Sequence, residues 1–152
     1  ILCVQFYAQY NEFKIKKDPA GKDLIYDEFR KKYVVLTPEE WVRQNFLRFL
    51  KSEKNYPASL MSLERQVSVN KMIKRFDAVI YKNGKPVVLI EFKSPKVKID
   101  QKVMDQISRY NLSLNVKYLI VSNGISHYCC SLEIESQSIV FLKKIPSYHD
   151  IA

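Results

Sequence analysis

The sequence predicts an α/β sandwich, a mixed central sheet covered by helices on both faces. Three observations carry that expectation. Two consecutive strand-like segments, 75–81 and 86–93, are apolar on both faces: Phe76, Ala78 and Ile80 against Val79 in the first, Val88 and Ile90 against Val87 and Leu89 in the second. A strand that is apolar on both faces is covered on both. An amphipathic helix precedes these strands and a second follows them, so the order is helix, three strands, helix, strand and tail. A length of 152 residues, 47% of them hydrophobic, suits one domain with a substantial core.

The elements follow in order. Residues 1–36 read as an N-terminal extension on a single globular unit, 37–152. In the extension, Phe13 to Lys16 and Tyr33 to Leu36 are short strands, with a turn near Pro19-Ala20-Gly21. Its Lys-rich alternation suggests a ribbon lying over the domain. Thr37-Pro38-Glu39-Glu40 is a helix start: Thr37 caps, Pro38 suits the first turn and Glu40 completes a capping box. The helix runs to about Ser52, with Val42, Phe46, Phe49 and Leu50 on its buried face. Leu63 to Val69, Arg75 to Tyr81 and Pro86 to Lys93 are strands, the last two joined at the Asn83-Gly84 turn. Ile99 to Asn111 is the second helix, with Asp100 as its cap and Val103, Met104, Ile107 and Tyr110 on its apolar side. Lys117 to Ser122 is a fourth strand, and two short strands follow, near His127 to Ile134 and Ile139 to Leu142.

Composition narrows the function. Lysine plus arginine number 25 against 16 aspartate plus glutamate, a net charge of +9 that favours a polyanionic partner. The three cysteines, Cys3, Cys129 and Cys130, are odd in number and two are adjacent, which excludes a secreted disulfide framework. A reducing cytoplasm is the expected location. No apolar run approaches a transmembrane helix in length. Ile1 to Tyr10 lacks the charged start and apolar stretch of a signal peptide, and the missing initiator Met points to a chain trimmed at its start. His127 and Cys129 alternate on one strand face, but no further residues have zinc-site spacing.

Ionisable groups are scarce inside apolar strands because burying a charge is costly. Here three occur together, Asp77 in the second strand and Glu91 and Lys93 in the third. Glu91 and Lys93, two apart, share a face. A strict two-residue Asn83-Gly84 loop would pair Asp77 with Ile90 and put Glu91 on the far face. A three-residue loop, Lys82-Asn83-Gly84, would pair Asp77 with Leu89 and make Asp77 and Glu91 diagonal neighbours. An odd loop or a bulge is therefore expected in this hairpin. Two adjacent carboxylates make a hard-oxygen site for Mg²⁺ or Mn²⁺, and Lys93 could stabilise charge on a phosphate or orient the attacking water. The competing reading is a structural ion-pair cluster at the end of the sheet.

Asp77 followed by Glu91-Phe92-Lys93 resembles the PD-(D/E)xK nuclease motif. The stretch Arg75-Phe76-Asp77 to Glu91-Phe92-Lys93-Ser94-Pro95 is similar to the nuclease domain at the N terminus of type I restriction enzyme R proteins. The likeness extends from Thr37-Pro38-Glu39-Glu40-Trp41 to Asn123-Gly124. It implies a restriction-endonuclease-like α-β-β-β-α-β core, a Mg²⁺ requirement and DNA as substrate, with Mn²⁺ as a further candidate ion; a stand-alone nuclease and one that works with a restriction-system or helicase partner are both open readings. By the same likeness Asp77 and Glu91 are metal ligands and Lys93 is the catalytic lysine. Phe76 stands where the motif usually has Pro, which removes no ligand. Gln106 and Tyr110, four apart on the second helix, resemble the Gln-x-x-x-Tyr motif of helicase-linked members, which flanks the active site. In some relatives an acid from the first helix joins the site; Glu40, Glu39 and Glu64 are the candidates. Lys71, Lys74, Arg75, Lys96, Lys98, Lys102 and Arg109 bracket the motif and could line a DNA path. The chain contains no motor motif.

Overall fold

The computed structural model describes residues 13–69, 71–133 and 135–151. Cys3 lies outside them, as does the side chain of Tyr110. Two sheets form. The first is antiparallel, β1 (Ile15–Lys17), β2 (Asp23–Asp27) and β3 (Lys32–Val35). The second has six strands in spatial order β4 (Met61–Val69), β5 (Met72–Lys82), β6 (Lys85–Phe92), β7 (Tyr118–Ser122), β8 (His127–Glu133) and β9 (Ser138–Phe141). Among the described residues only β6 and β7 run parallel, and the chain between them contains α2 (Gln101–Leu112). With α1 (Pro38–Glu53) before β4, the core order is α-β-β-β-α-β, a mixed sheet with a helix on each face, as the sequence predicts.

Each helix has a physical start. Thr37 Oγ1 accepts the Glu40 N–H at 3.0 Å, and Asp100 Oδ1 accepts the Val103 N–H at 2.9 Å. The capping box expected at Glu40 is only half made. Its carboxylate turns to Arg30, Arg43 and Gln44, because charged and amide donors hold it more strongly than a helix-end N–H does. Helix α1 buries Val42, Phe46, Leu47 and Leu50, with Phe49 only partly covered, against Ala78, Ile80, Val88, Ile90 and Phe92. Helix α2 buries Met104 and Leu112 against Val79, Leu89, Leu119 and Val121 on the opposite face. The sequence reading missed β2, whose Ile25 and Asp27 are buried.

The β5–β6 hairpin contains the expected irregularity as a bulge, not as a three-residue loop. Asn83 and Gly84 form a two-residue turn with φ of 52° and 74°, flanked by the pair Lys82–Lys85. Tyr81 then pairs with Pro86 while Ile80 pairs with Val88, so Val87 is the extra residue. Beyond the bulge Val79 pairs with Leu89 and Ala78 with Ile90, where the regular pairing of the two strands ends, next to Asp77 and Glu91.

A second irregularity lies where β4 meets β5. Leu63 pairs with Ala78 and Arg65 with Phe76, and Glu64 between them has a left-handed φ of 52°. Ala78 packs in the α1-side core but Phe76 in the α2-side core. In a regular strand residues two apart share a face, so β5 changes face at Asp77. β4 does the same at Glu64: Leu63 packs toward α1 and Val67 toward α2.

Candidate active site

The shift of β5 at Asp77 decides where its carboxylate points. Oδ2 accepts the Phe92 N–H at 2.7 Å, and Oδ1 accepts from Arg43 Nη2 of α1 at 3.2 Å. The first bond ties Asp77 to β6 at the residue between Glu91 and Lys93. Phe92 packs toward α1, so Glu91 alternates to the other face, where Lys74 pairs with its Oε1. Lys93 Nζ stands 3.9 Å from Glu91 Oε2. Lys93 lies just past β6 and is held there by its N–H, which donates to the Ser122 carbonyl at 2.8 Å. Asp77, in the middle of β5, is thus tied to the C-terminal end of β6, where Glu91 and Lys93 lie. Glu91 is the most enclosed, its side chain 11% exposed against 27% for Asp77 and 39% for Lys93.

An ion network stands behind Asp77. Arg43 donates from Nη1 to Glu40 at 2.9 Å and lies 3.9 Å from both Glu39 and Glu64. Arg30 pairs with Asp27 and Glu40, and Arg75 with Glu64 at 3.2 Å. Burial opposes the Arg30 charge, but the hydrogen bond to Asp27 and the nearby Glu40 and Asp27 charges outweigh it and raise its pKa. Among the described residues, Asp27, Glu39, Glu40, Glu64 and Asp77 share the three guanidiniums of Arg30, Arg43 and Arg75, which leaves an excess of negative charge.

That excess, and the hard-oxygen donors Asp77 and Glu91, fit a divalent cation. Mg²⁺ commonly takes one or two carboxylates and fills its other positions with water and substrate oxygens. Among the described residues no three His, Cys, Asp or Glu side chains are grouped to hold a metal. Glu40 and Glu64, weighed as a third acid, are engaged by Arg30 and Arg43, and Arg75 also holds Glu64; Glu39 is half exposed beside Arg43.

Gln106 is exposed on α2, and Tyr110 lies one turn on in the same helix. Lys71, Lys96, Lys98, Lys102 and Arg109 are exposed, while Lys74 and Arg75 are paired with Glu91 and Glu64. His127 is buried, with its Nδ1 2.6 Å from Ser122 Oγ. The residues sequence reasoning missed are Arg43 and Arg30; Lys74 was read as part of a DNA path and not as the partner of Glu91. Arg43 carried a signal: it lies three and four residues before the buried Phe46 and Leu47, on the core-facing arc of α1.

The model of the family described as the type I restriction enzyme R protein N terminus matches residues 38–146. The chain belongs to that family. The matched span begins at the first residue of α1 and runs past β9, so it takes in the six-stranded sheet, both helices and all three motif residues, and leaves out the N-terminal sheet. Among solved structures, the chain resembles a fragment of a proposed HsdR subunit of a type I restriction enzyme from Vibrio vulnificus YJ016. The TM-score is 0.53 at 18% identity, over 76% of this chain and 24% of that one. At that identity the likeness establishes the fold. The chain spans about a quarter of the length of that structure. No curated protein matches the chain. Among the described residues no helix is long and apolar enough to cross a membrane.

Proposed function

We propose that this domain is a Mg²⁺-dependent DNA endonuclease of the PD-(D/E)xK kind, with Asp77 and Glu91 as metal ligands and Lys93 as the catalytic lysine. The observation that carries the reading is the 2.7 Å bond from the Phe92 N–H to Asp77, which fastens one carboxylate to the strand that bears the other two motif residues. When bound, Mg²⁺ would make a ligated water more acidic and polarise a phosphoryl oxygen.

The chain's own groups do the rest. Arg43 and the Phe92 N–H fix the orientation of Asp77. Lys93, the most exposed of the three, presents its ammonium to the scissile phosphate, where it steadies developing charge or holds the attacking water. The exposed Lys96, Lys98, Lys102 and Arg109 supply a sequence-independent hold on the DNA backbone. Gln106 and Tyr110 on α2 serve as support for the bound strand. Family membership and the chain's quarter-length match suggest that the nuclease works with a restriction-system motor partner.

The test is cleavage of supercoiled plasmid and single-stranded circles with Mg²⁺ or Mn²⁺, beside Asp77→Asn and Lys93→Ala. Cleavage should stop with a chelator and fall about 10²–10⁴-fold in each variant. Salt-sensitive DNA binding without cleavage, in the wild type and with motor partner added, would instead leave a binding module of the same fold.

A further inference from the structure

The two carboxylates of the proposed metal site are each held by a cation, but the two cations differ. Arg43, on Asp77, is 7% exposed and is locked by a second bond to Glu40 at 2.9 Å. Its planar fork bridges two acids at once and has little room to leave. Lys74, on Glu91, is 25% exposed and has a flexible four-carbon stem; its ammonium lies 4.9 Å from the centre of the Phe76 ring. A divalent ion and an ammonium compete for the same carboxylate oxygens, so any exchange at this site falls on the Lys74 side.

We propose that Lys74 is a resident counter-ion of Glu91 which a divalent metal displaces, and that the displaced ammonium turns to the DNA backbone. The inference rests on the metal reading of Asp77 and Glu91. It follows from charge and position. Once a metal takes Glu91, the Lys74 ammonium gives up that ion pair. It sits near the start of β5, with the exposed Lys71 just before that strand and Arg75, paired with Glu64, next to it in sequence. A phosphate is the anion such a cluster takes. Metal binding would then hand the substrate one extra cationic contact, which couples the two binding events with no movement of the backbone.

The test uses Mn²⁺ titration by calorimetry on the whole chain, with Lys74→Gln, Lys74→Arg and Glu91→Gln, each checked for wild-type circular dichroism. Lys74→Gln removes the competitor and should bind Mn²⁺ about three- to tenfold more tightly. Lys74→Arg keeps the charge and should bind near the wild-type level. Salt-dependent DNA binding in Ca²⁺, used as a non-cleaving ion, should gain a slope of about one phosphate contact over the metal-free protein. That gain should vanish in Lys74→Gln. Equal Mn²⁺ affinity in wild type and Lys74→Gln, with binding lost in Glu91→Gln, would overturn the exchange and leave the metal site standing. Unchanged Mn²⁺ binding in Glu91→Gln would remove the metal reading and the exchange with it.

Discussion

Asp77 and Glu91 stand on neighbouring strands, yet Asp77 is held by a backbone N–H and an arginine network, and Glu91, the more enclosed of the two, by lysines. Asp77 is bonded to a backbone N–H and to Arg43, and through Arg43 to Glu40, Arg30 and Asp27, a chain of ion pairs that reaches from β5 through α1 to β2. Glu91 pairs with Lys74 and stands 3.9 Å from Lys93, lysines that sit one-quarter and two-fifths in solvent. A buried charge is tolerated only where several partners compensate it, and such a network resists rearrangement. A lysine pair near water carries no such constraint. A site that must exchange cations during its cycle can keep one ligand fixed and let the other adjust, and the two halves divide in that way.

The comparison is sharpest at Arg43 and Lys93. Arg43→Ala strips a buried guanidinium from between Glu40 and Asp77, and unfolding in urea should show a loss of about 3–5 kcal/mol. Lys93→Ala removes a side chain that is 39% exposed and 3.9 Å from its carboxylate. Its stability should move by only about 0.5 kcal/mol while cleavage collapses. If the two variants lost equal stability, the division between a fixed and an adjustable half would be wrong.

Much of this arrangement could be read from the sequence, and the parts that could not share a cause. Strands apolar on both faces gave the three-layer core, because nothing but a helix on each side can cover Ala78 and Val79 together. The caps at Thr37 and Asp100 are local chemistry and were found. The hairpin needed an odd loop or a bulge if Asp77 and Glu91 were to share a face, and the irregularity present is a bulge at Val87. What escaped depends on contacts distant in sequence. Arg43 meets a residue 34 positions away. Lys74 meets Glu91 across a strand that has changed face at Asp77, a shift matched by the left-handed Glu64 in the neighbouring strand. Strict alternation, the only rule available from sequence, cannot register such a shift. The same limit explains Glu40, assigned to a local cap and claimed instead by Arg30 from the extension. Asp27, which joins that network, belongs to the strand that was missed.

A milder way to probe the fixed half is alkaline pH. Cys129 packs in the core beneath α1, and burial pushes its thiol up to about 12, with the neighbouring Cys130 adding to the shift. Burial also raises Tyr56 in the same core, and raises Cys130 on the opposite face. These groups bind their protons more tightly folded than unfolded. Their contribution to stability is therefore complete below about 8.5, the ordinary thiol value, and is lost progressively as pH climbs toward the folded values. Urea midpoints should fall between about pH 9 and 11. The decline should be shallower in Cys129→Ala, compared with its own midpoint at pH 8. An unchanged slope would mean that the dry core under α1 does not govern the alkaline limit.

The smallest expected effect tests how far the fixed half extends along α1. Thr37 caps the helix that carries Glu40 and Arg43, and Thr37→Ala removes the oxygen that accepts the Glu40 N–H. The loss should be about 1 kcal/mol in urea. The site should not notice. Arg43 lies in the second turn of the helix, and it is positioned by Glu40 and Asp77 side chains and by the packing of Val42 and Phe46 on either side, none of which depends on the cap. Metal affinity and cleavage per folded molecule should therefore match the wild type. A variant that kept its fold but lost metal affinity would show that the anchoring of Asp77 begins at the first turn of the helix, and that the ion network alone does not hold it.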